Sequence, residues 1–202
     1  MIKQMISRTM TAVFCLALPS FAGVILSDNF EGNGYALNTT PSGWTVTNGT
    51  VDVIGPGYFS GLCANGTKCI DMDGSTHNAG DLSRSFSTIQ GATYELTWDM
   101  NGNRRGYGPD SMVVSVGSAS QLYTLASNGA LATYMLSWVA PTTGTASIMF
   151  SHQGGDNVGI LLDNVQLTET AAVASVDAPE PGSIALMISG AVALLVLRKR
   201  SA

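Results

Sequence analysis

Asp71 and Asp73 flank Met72, so in an extended segment both carboxylates project to one side while Ile70 and Met72 project to the other. Paired carboxylates can hydrolyse glycosidic bonds, one donating a proton while the other attacks or activates water. Glu95 and Asp99 repeat the alternation at Leu96 and Trp98, and alternating acid and apolar residues are also what a strand with one wet face looks like. No G-x-S-x-G elbow, H-E-x-x-H helix or phosphate-cradling glycine loop occurs, and Gly106-Tyr107-Gly108 reads as a flexible loop. The residues therefore favour binding over turnover.

A sugar-binding surface would use exposed aromatics as stacking platforms beside amide and charged hydrogen-bonding groups. Trp44 and Trp138 fall in strand patterns, where core packing is the simpler role. Tyr58 and Tyr107 sit in glycine-rich loops, the second with Asn101, Asn103 and Arg104 close by in sequence. Tyr58, Tyr107, Asn103 and Arg104 are the candidate glycan contacts. Cys63 and Cys69 enclose Ala64-Asn65-Gly66-Thr67-Lys68, a small loop with Asn65-Gly66 as its turn, and a disulfide is the expected state in an oxidising compartment. A metal pair is the rival, but no third cysteine or nearby histidine completes a zinc set, since His77 and His152 are distant and not in ligand spacing.

Charged residues make up 11% of the 202 residues and hydrophobic ones 45%. That composition excludes a disordered polyampholyte, a coiled coil and a basic nucleic-acid binder, which needs clustered Lys and Arg against phosphates. Charge is unevenly spread. Between residues 23 and 181 stand four basic residues and fourteen acidic ones, a difference of 4 minus 14, or -10. Such a surface repels nucleic acid and anionic lipid alike.

The positions that must hold these groups alternate with period two. Tyr94, Leu96, Trp98 and Met100 point one way while Thr93, Glu95, Thr97 and Asp99 point the other, which predicts a half-buried strand. Trp44 and Val46, then Asn48-Gly49, then Val51 and Val53, predict a hairpin around a tight turn. Further strands are predicted at 68–72, 81–87, 111–116, 121–126, 134–140, 145–152 and 159–168. About nine short strands with no amphipathic helical stretch predict an all-β fold, an antiparallel β-sandwich over 23–172. No fixed-period repeat points to a solenoid or propeller.

Two apolar ends flank this unit. Lys3 and Arg8 precede an apolar run broken by Pro19, followed by Ser20-Phe21-Ala22, the parts of a secretory signal peptide over 1–22. The run is short for a retained membrane helix, and Cys15 lacks the small-residue context of a lipoprotein signal. A linker at 173–178 leads to Pro179-Glu180-Pro181-Gly182, an uncharged stretch to Leu197, and Arg198-Lys199-Arg200. This reads as a single hydrophobic helix with its basic end on the cytoplasmic side.

The order Pro179, Glu180, Pro181, Gly182, short Gly- and Ala-containing helix, basic cluster closely resembles the PEP-CTERM sorting signal of Gram-negative bacteria that make extracellular polysaccharide. The resemblance implies an exosortase as partner, a transient inner-membrane intermediate, removal of the tail near the motif, and delivery to the cell surface or beyond. The middle also resembles a family. Asp28-Asn29-Phe30-Glu31, Gly43-Trp44-Thr45-Val46, Ile70-Asp71-Met72-Asp73-Gly74-Ser75, Phe86-Ser87-Thr88 with Gly91-Ala92-Thr93-Tyr94, Asn101-Gly102-Asn103 and Leu162-Asp163-Asn164-Val165 are similar to the DUF642 and choice-of-anchor C type of jelly roll. That resemblance implies a galactose-binding-like, carbohydrate-binding jelly roll, with extracellular polysaccharide as partner. It further implies a structural Ca²⁺ between Glu31 near the first strand and Asp163 in the last, where hard oxygen ligands suit the ion.

Overall fold

The computed structural model describes residues 22–171. The leader expected over 1–22 lies outside them except for Ala22, as do the linker at 173–178, the motif at 179–182 and the apolar stretch behind it. Numbered along the chain, a seven-stranded sheet runs in the order β10 (Ala132–Val139), β7 (Thr93–Asn101), β12 (Leu161–Thr170), β5 (Cys69–Asp71), β4 (Val51–Ile54) and β2 (Ala36–Thr39), with β1 (Ala22–Asp28) also pairing with β12. A five-stranded sheet faces it in the order β3 (Thr45–Thr47), β6 (Asp81–Thr88), β11 (Gly144–His152), β8 (Asp110–Val116) and β9 (Ala119–Leu125). Every named strand pair is antiparallel, and no helix occurs among the described residues. The expected antiparallel sandwich is the fold observed.

Alternation explains why these sheets face each other. On β7 the inward set Tyr94, Leu96, Trp98 and Met100 is fully buried, while the residues between them are partly exposed. Trp98 is the centre of the core, 5.4 Å from Tyr123, 6.0 Å from Tyr134 and 5.8 Å from Phe150, ring centre to ring centre. Burying a side chain of this class contributes on the order of 2 kcal/mol. Trp44 and Trp138 belong to this aromatic packing as well.

The hairpin expected around Asn48-Gly49 is not one. Asn48 does adopt the left-handed conformation, at φ 59°, so the turn chemistry is as read. The strands on either side, however, join different sheets: β3 pairs with β6, whereas β4 pairs with β5 and β2. The turn carries the chain from one layer to the other. A Cβ on Gly49 would sit 2.3 Å from the Asn78 carbonyl oxygen, so the crossing needs glycine there.

A second apolar cluster lies on the far side of the larger sheet. Val53, Ile70 and Leu162 face the main core, while their neighbours Ile54, Cys69 and Leu161 face outward and are buried beneath Leu62 and Cys63. The 55–68 loop therefore folds over the outer face of that sheet. This covering creates the site.

Candidate functional site

Two loops meet over the outer face of β5. The first, between β4 and β5, begins with a tight turn in which Gly55 and Tyr58 exchange backbone hydrogen bonds at 2.8 and 2.9 Å. Tyr58 and Phe59 at its crest are 44% and 46% exposed. The Cys63–Cys69 disulfide closes the same loop, as expected. Glu31 fastens it further: its carboxylate accepts the Thr67 and Lys68 amides at 2.6 and 2.9 Å and the Thr67 hydroxyl. These donors hold the Glu31 carboxyl below its usual range, the Thr67 hydroxyl contributing most.

The second loop, 102–109, is built around Asn103. Asn103 Nδ2 donates to the Gly108 carbonyl at 3.2 Å and to Asp110 Oδ2 at 2.8 Å, while its Oδ1 accepts the Arg105 amide at 2.9 Å and the Ser127 hydroxyl at 2.5 Å. All of its polar atoms are engaged internally and the residue is fully buried, so Asn103 shapes the loop and is not a surface contact as expected. Asn101, buried and donating to the Gly102 carbonyl, is structural too. Arg104 and Tyr107 are exposed, the latter by 54%. Arg104, Gly106, Ser127 and Asn128 line an open cleft of about 440 Å³.

Arg105 joins the two loops. Its guanidinium donates to Asp71 Oδ2 at 2.5 Å, and its terminal carbon lies 5.6 Å from the centre of the Phe59 ring, within cation–π range. This is the one salt bridge among the described residues. The sequence marks Arg105 only by its scarcity, as one of four cations among fourteen acids between residues 23 and 181.

Asp71 and Asp73 do not lie on a wet face. Both are fully buried: the two loops cover the side of β5 that alternation leaves outward at Asp71, and the segment at 155–157 closes over Asp73. Asp71 Oδ1 accepts the Gly159 amide at 2.9 Å and the Asp73 amide at 3.2 Å. Desolvation raises its carboxyl to about 7 despite the Arg105 charge. Asp73 Oδ2 accepts the amides of Gly155, Asp156 and Asn157 at 2.6, 3.0 and 3.2 Å, tying down the segment before β12. His152 Nε2 accepts the Ile160 amide at 3.2 Å, and burial holds its imidazole below the usual range. Both carboxylates are closed off from solvent, and Asp73 Oδ1 is buried without a hydrogen-bond partner.

Glu31 and Asp163 are close enough to interact. Desolvation raises the buried Asp163 carboxyl to about 7, with Glu31, Asp99 and Asp28 adding repulsion. A Ca²⁺ ion does not fit this arrangement as it stands. The Glu31 carboxylate is committed to Thr67 and Lys68, the Lys68 ammonium lies 2.6 Å from the Glu31 carbonyl, and no set of three His, Cys, Asp or Glu among the described residues is grouped to hold a metal.

The fold has relatives of known structure. The CBM22-1 xylan-binding domain of Paenibacillus barcinonensis Xyn10C superposes with a TM-score of 0.51 at 15% identity, covering 77% of this chain and 99% of that one. The K3 cleaved adhesin domain of Lys-gingipain from Porphyromonas gingivalis W83 gives 0.53 at 17% identity, covering 73% and 99%. No curated protein matches the chain. Residues 20–168 match the family described as protein of unknown function (DUF642), and the chain belongs to that family.

Proposed function

We propose that the chain is an exported, non-catalytic polysaccharide-binding module whose contact surface is the loop pair carrying Tyr58, Phe59, Arg104 and Tyr107. The observation that carries this reading is the joining of two aromatic-bearing loops through Arg105 beside an open cleft lined by Arg104, Ser127 and Asn128. Exposed aromatic faces offer stacking area with few torsions to immobilise, and the cleft supplies donors and acceptors for hydroxyl groups. The likeness of the fold to a xylan-binding domain supports a glycan ligand. The flanking segments support delivery through an exosortase-type system, by way of the inner membrane, to the cell surface or the surrounding polysaccharide.

The test is a pull-down of the full chain, purified in mild detergent, against a panel of neutral and acidic polysaccharides. At least one should retain the native chain, and a Y58A/Y107A double variant should bind at least tenfold more weakly. Unchanged retention by the double variant, or no retention by any polysaccharide, would overturn the reading. For delivery, deletion of residues 179–202 should abolish surface display in an exosortase-bearing host; unaltered display would rule out the sorting role.

A further inference from the structure

We propose that Arg105 is the positioning residue of this loop pair and that protonation of Asp71 releases it, so that glycan capture weakens on acidification. The proposal rests on the loop pair being the binding surface.

The two oxygens of Asp71 are not equivalent. Oδ1 already accepts two backbone amides, from Gly159 and Asp73, whereas Oδ2 meets the Arg105 guanidinium. Protonation of either oxygen removes the negative charge that holds Arg105. Arg105 has only donors, and a protonated Asp71 keeps lone pairs but no charge, so the guanidinium loses its charged acceptor. Its Nε is buried without a hydrogen-bond partner, so the anchor at Asp71 has no substitute through that atom. Once released, Arg105 no longer presses on Phe59, and the segments bearing Tyr58 and Tyr107 lose their common tie.

The surrounding charges do not replace this lever. Asp52, opposite Asp71 on β4, is engaged by Asn38 and Ser75. Asp73 is held by the amides of residues 155–157, and Asp110 by Asn103. Asp73 and Asp156 act electrostatically on both Asp110 and His152, whose burial favours the neutral imidazole. The buried Asp71 carboxyl, at about 7, titrates where extracellular pH commonly varies.

A distinctive signature follows from linkage. Because the folded-state pKa of Asp71 lies above its unfolded value, acidification through about 7 favours the folded state at this group. Affinity falls while the stability contribution rises.

Hydrogen exchange of the full chain at about pH 8 tests the lever without a ligand. The D71N variant should exchange at least tenfold faster than the native chain at 103–108 and 55–62, with β7 and β12 unchanged. An asparagine cannot accept from Arg105 and from both amides without turning its NH₂ toward a donor. Equal protection of both loops in D71N would overturn the proposal whatever the glycan result. With unsubstituted xylan as probe, native binding should weaken at least fivefold between about pH 8 and pH 6, and D71N should be weak and flat across that range. D71N binding like the native chain would overturn the lever while leaving the loop surface intact, whereas loss of binding in Y58A/Y107A reports on the surface itself.

Discussion

Glu31 and Lys68 are joined twice: the Lys68 amide donates to the Glu31 carboxylate at 2.9 Å, and the Lys68 ammonium donates to the Glu31 carbonyl at 2.6 Å. The same ammonium lies 5.1 Å from the centre of the Tyr35 ring. The segment just after β1 is thereby fastened to the base of the 55–68 loop, next to Cys69 of the disulfide that closes it.

Removing the Glu31 carboxylate should loosen this attachment. We expect E31A to lower unfolding free energy by about 1–2 kcal/mol, the usual range for losing charge-assisted hydrogen bonds at a partly exposed site. Urea unfolding followed by tryptophan fluorescence measures it. A cost indistinguishable from zero would mean that the loop is held by its disulfide and apolar underside without help from Glu31.

The disulfide closes a short loop, so its loss should cost less than that of a long-range bridge. From chain entropy we expect the C63S/C69S chain to be about 2 kcal/mol less stable than the oxidised protein. Comparing melting curves of the double variant with the native chain, with and without reductant, checks this. The double variant should also be insensitive to reductant.

Asp163 imposes a pH dependence of known sign. Its folded-state carboxyl, at about 7, lies above the unfolded value, so from this group stability falls as pH rises from about 4 to 7 and stays reduced above that. D163N should therefore be more stable than the native chain at about pH 8 and should flatten the decline. Denaturation at a series of pH values would show it. A D163N chain less stable at alkaline pH would mean that the ionised carboxylate is held by a cation there.

Gly159 leaves no room for a side chain. A Cβ there would lie 2.4 Å from the Asp73 amide nitrogen and 2.9 Å from Asp71 Oδ1. We expect G159A to cost more than about 2 kcal/mol through displaced backbone and broken hydrogen bonds to Asp71. G106A, where nothing stands within 4 Å, should lose only what its φ of 81° demands, and the comparison by thermal melting separates crowding from backbone strain.

What could be read from residues alone was whatever depends on local alternation. The segment at 93–100 appears as β7 almost to the residue because four apolar side chains must share one face. β1 and β2 left no such mark. Only Leu26 of β1 is buried, and β2 is a four-residue strand with Asn38 in the left-handed region at φ 52°. The Asn48-Gly49 turn was legible but its partners were not, because turn chemistry says how a chain reverses and not which sheet receives it. The same limit hid the burial of Asp71 and Asp73. Alternation places them on the face away from the core, and only long-range folding, of the 55–68 and 102–109 loops over Asp71 and of the 155–157 segment over Asp73, decides that this face is dry. Asn103 and Arg105 turn into the fold while Arg104 between them faces solvent, and in a loop no periodicity marks which neighbour does which.

The placement of β12 also bears on how the protein would carry load. It is an interior strand, paired to β7 from Leu161 against Asn101 to Thr170 against Thr93, and flanked on its other side by β5 and then β1. A pull arriving through the chain beyond Ala171 runs along this strand and shears two ladders of hydrogen bonds at once instead of peeling them singly. A glycan gripping the loops over β5 would draw against a neighbour of that same strand. Tension between a tethered carboxyl end and a held polymer would thus pass through the middle of the larger sheet, leaving the five-stranded layer out of the direct line of force.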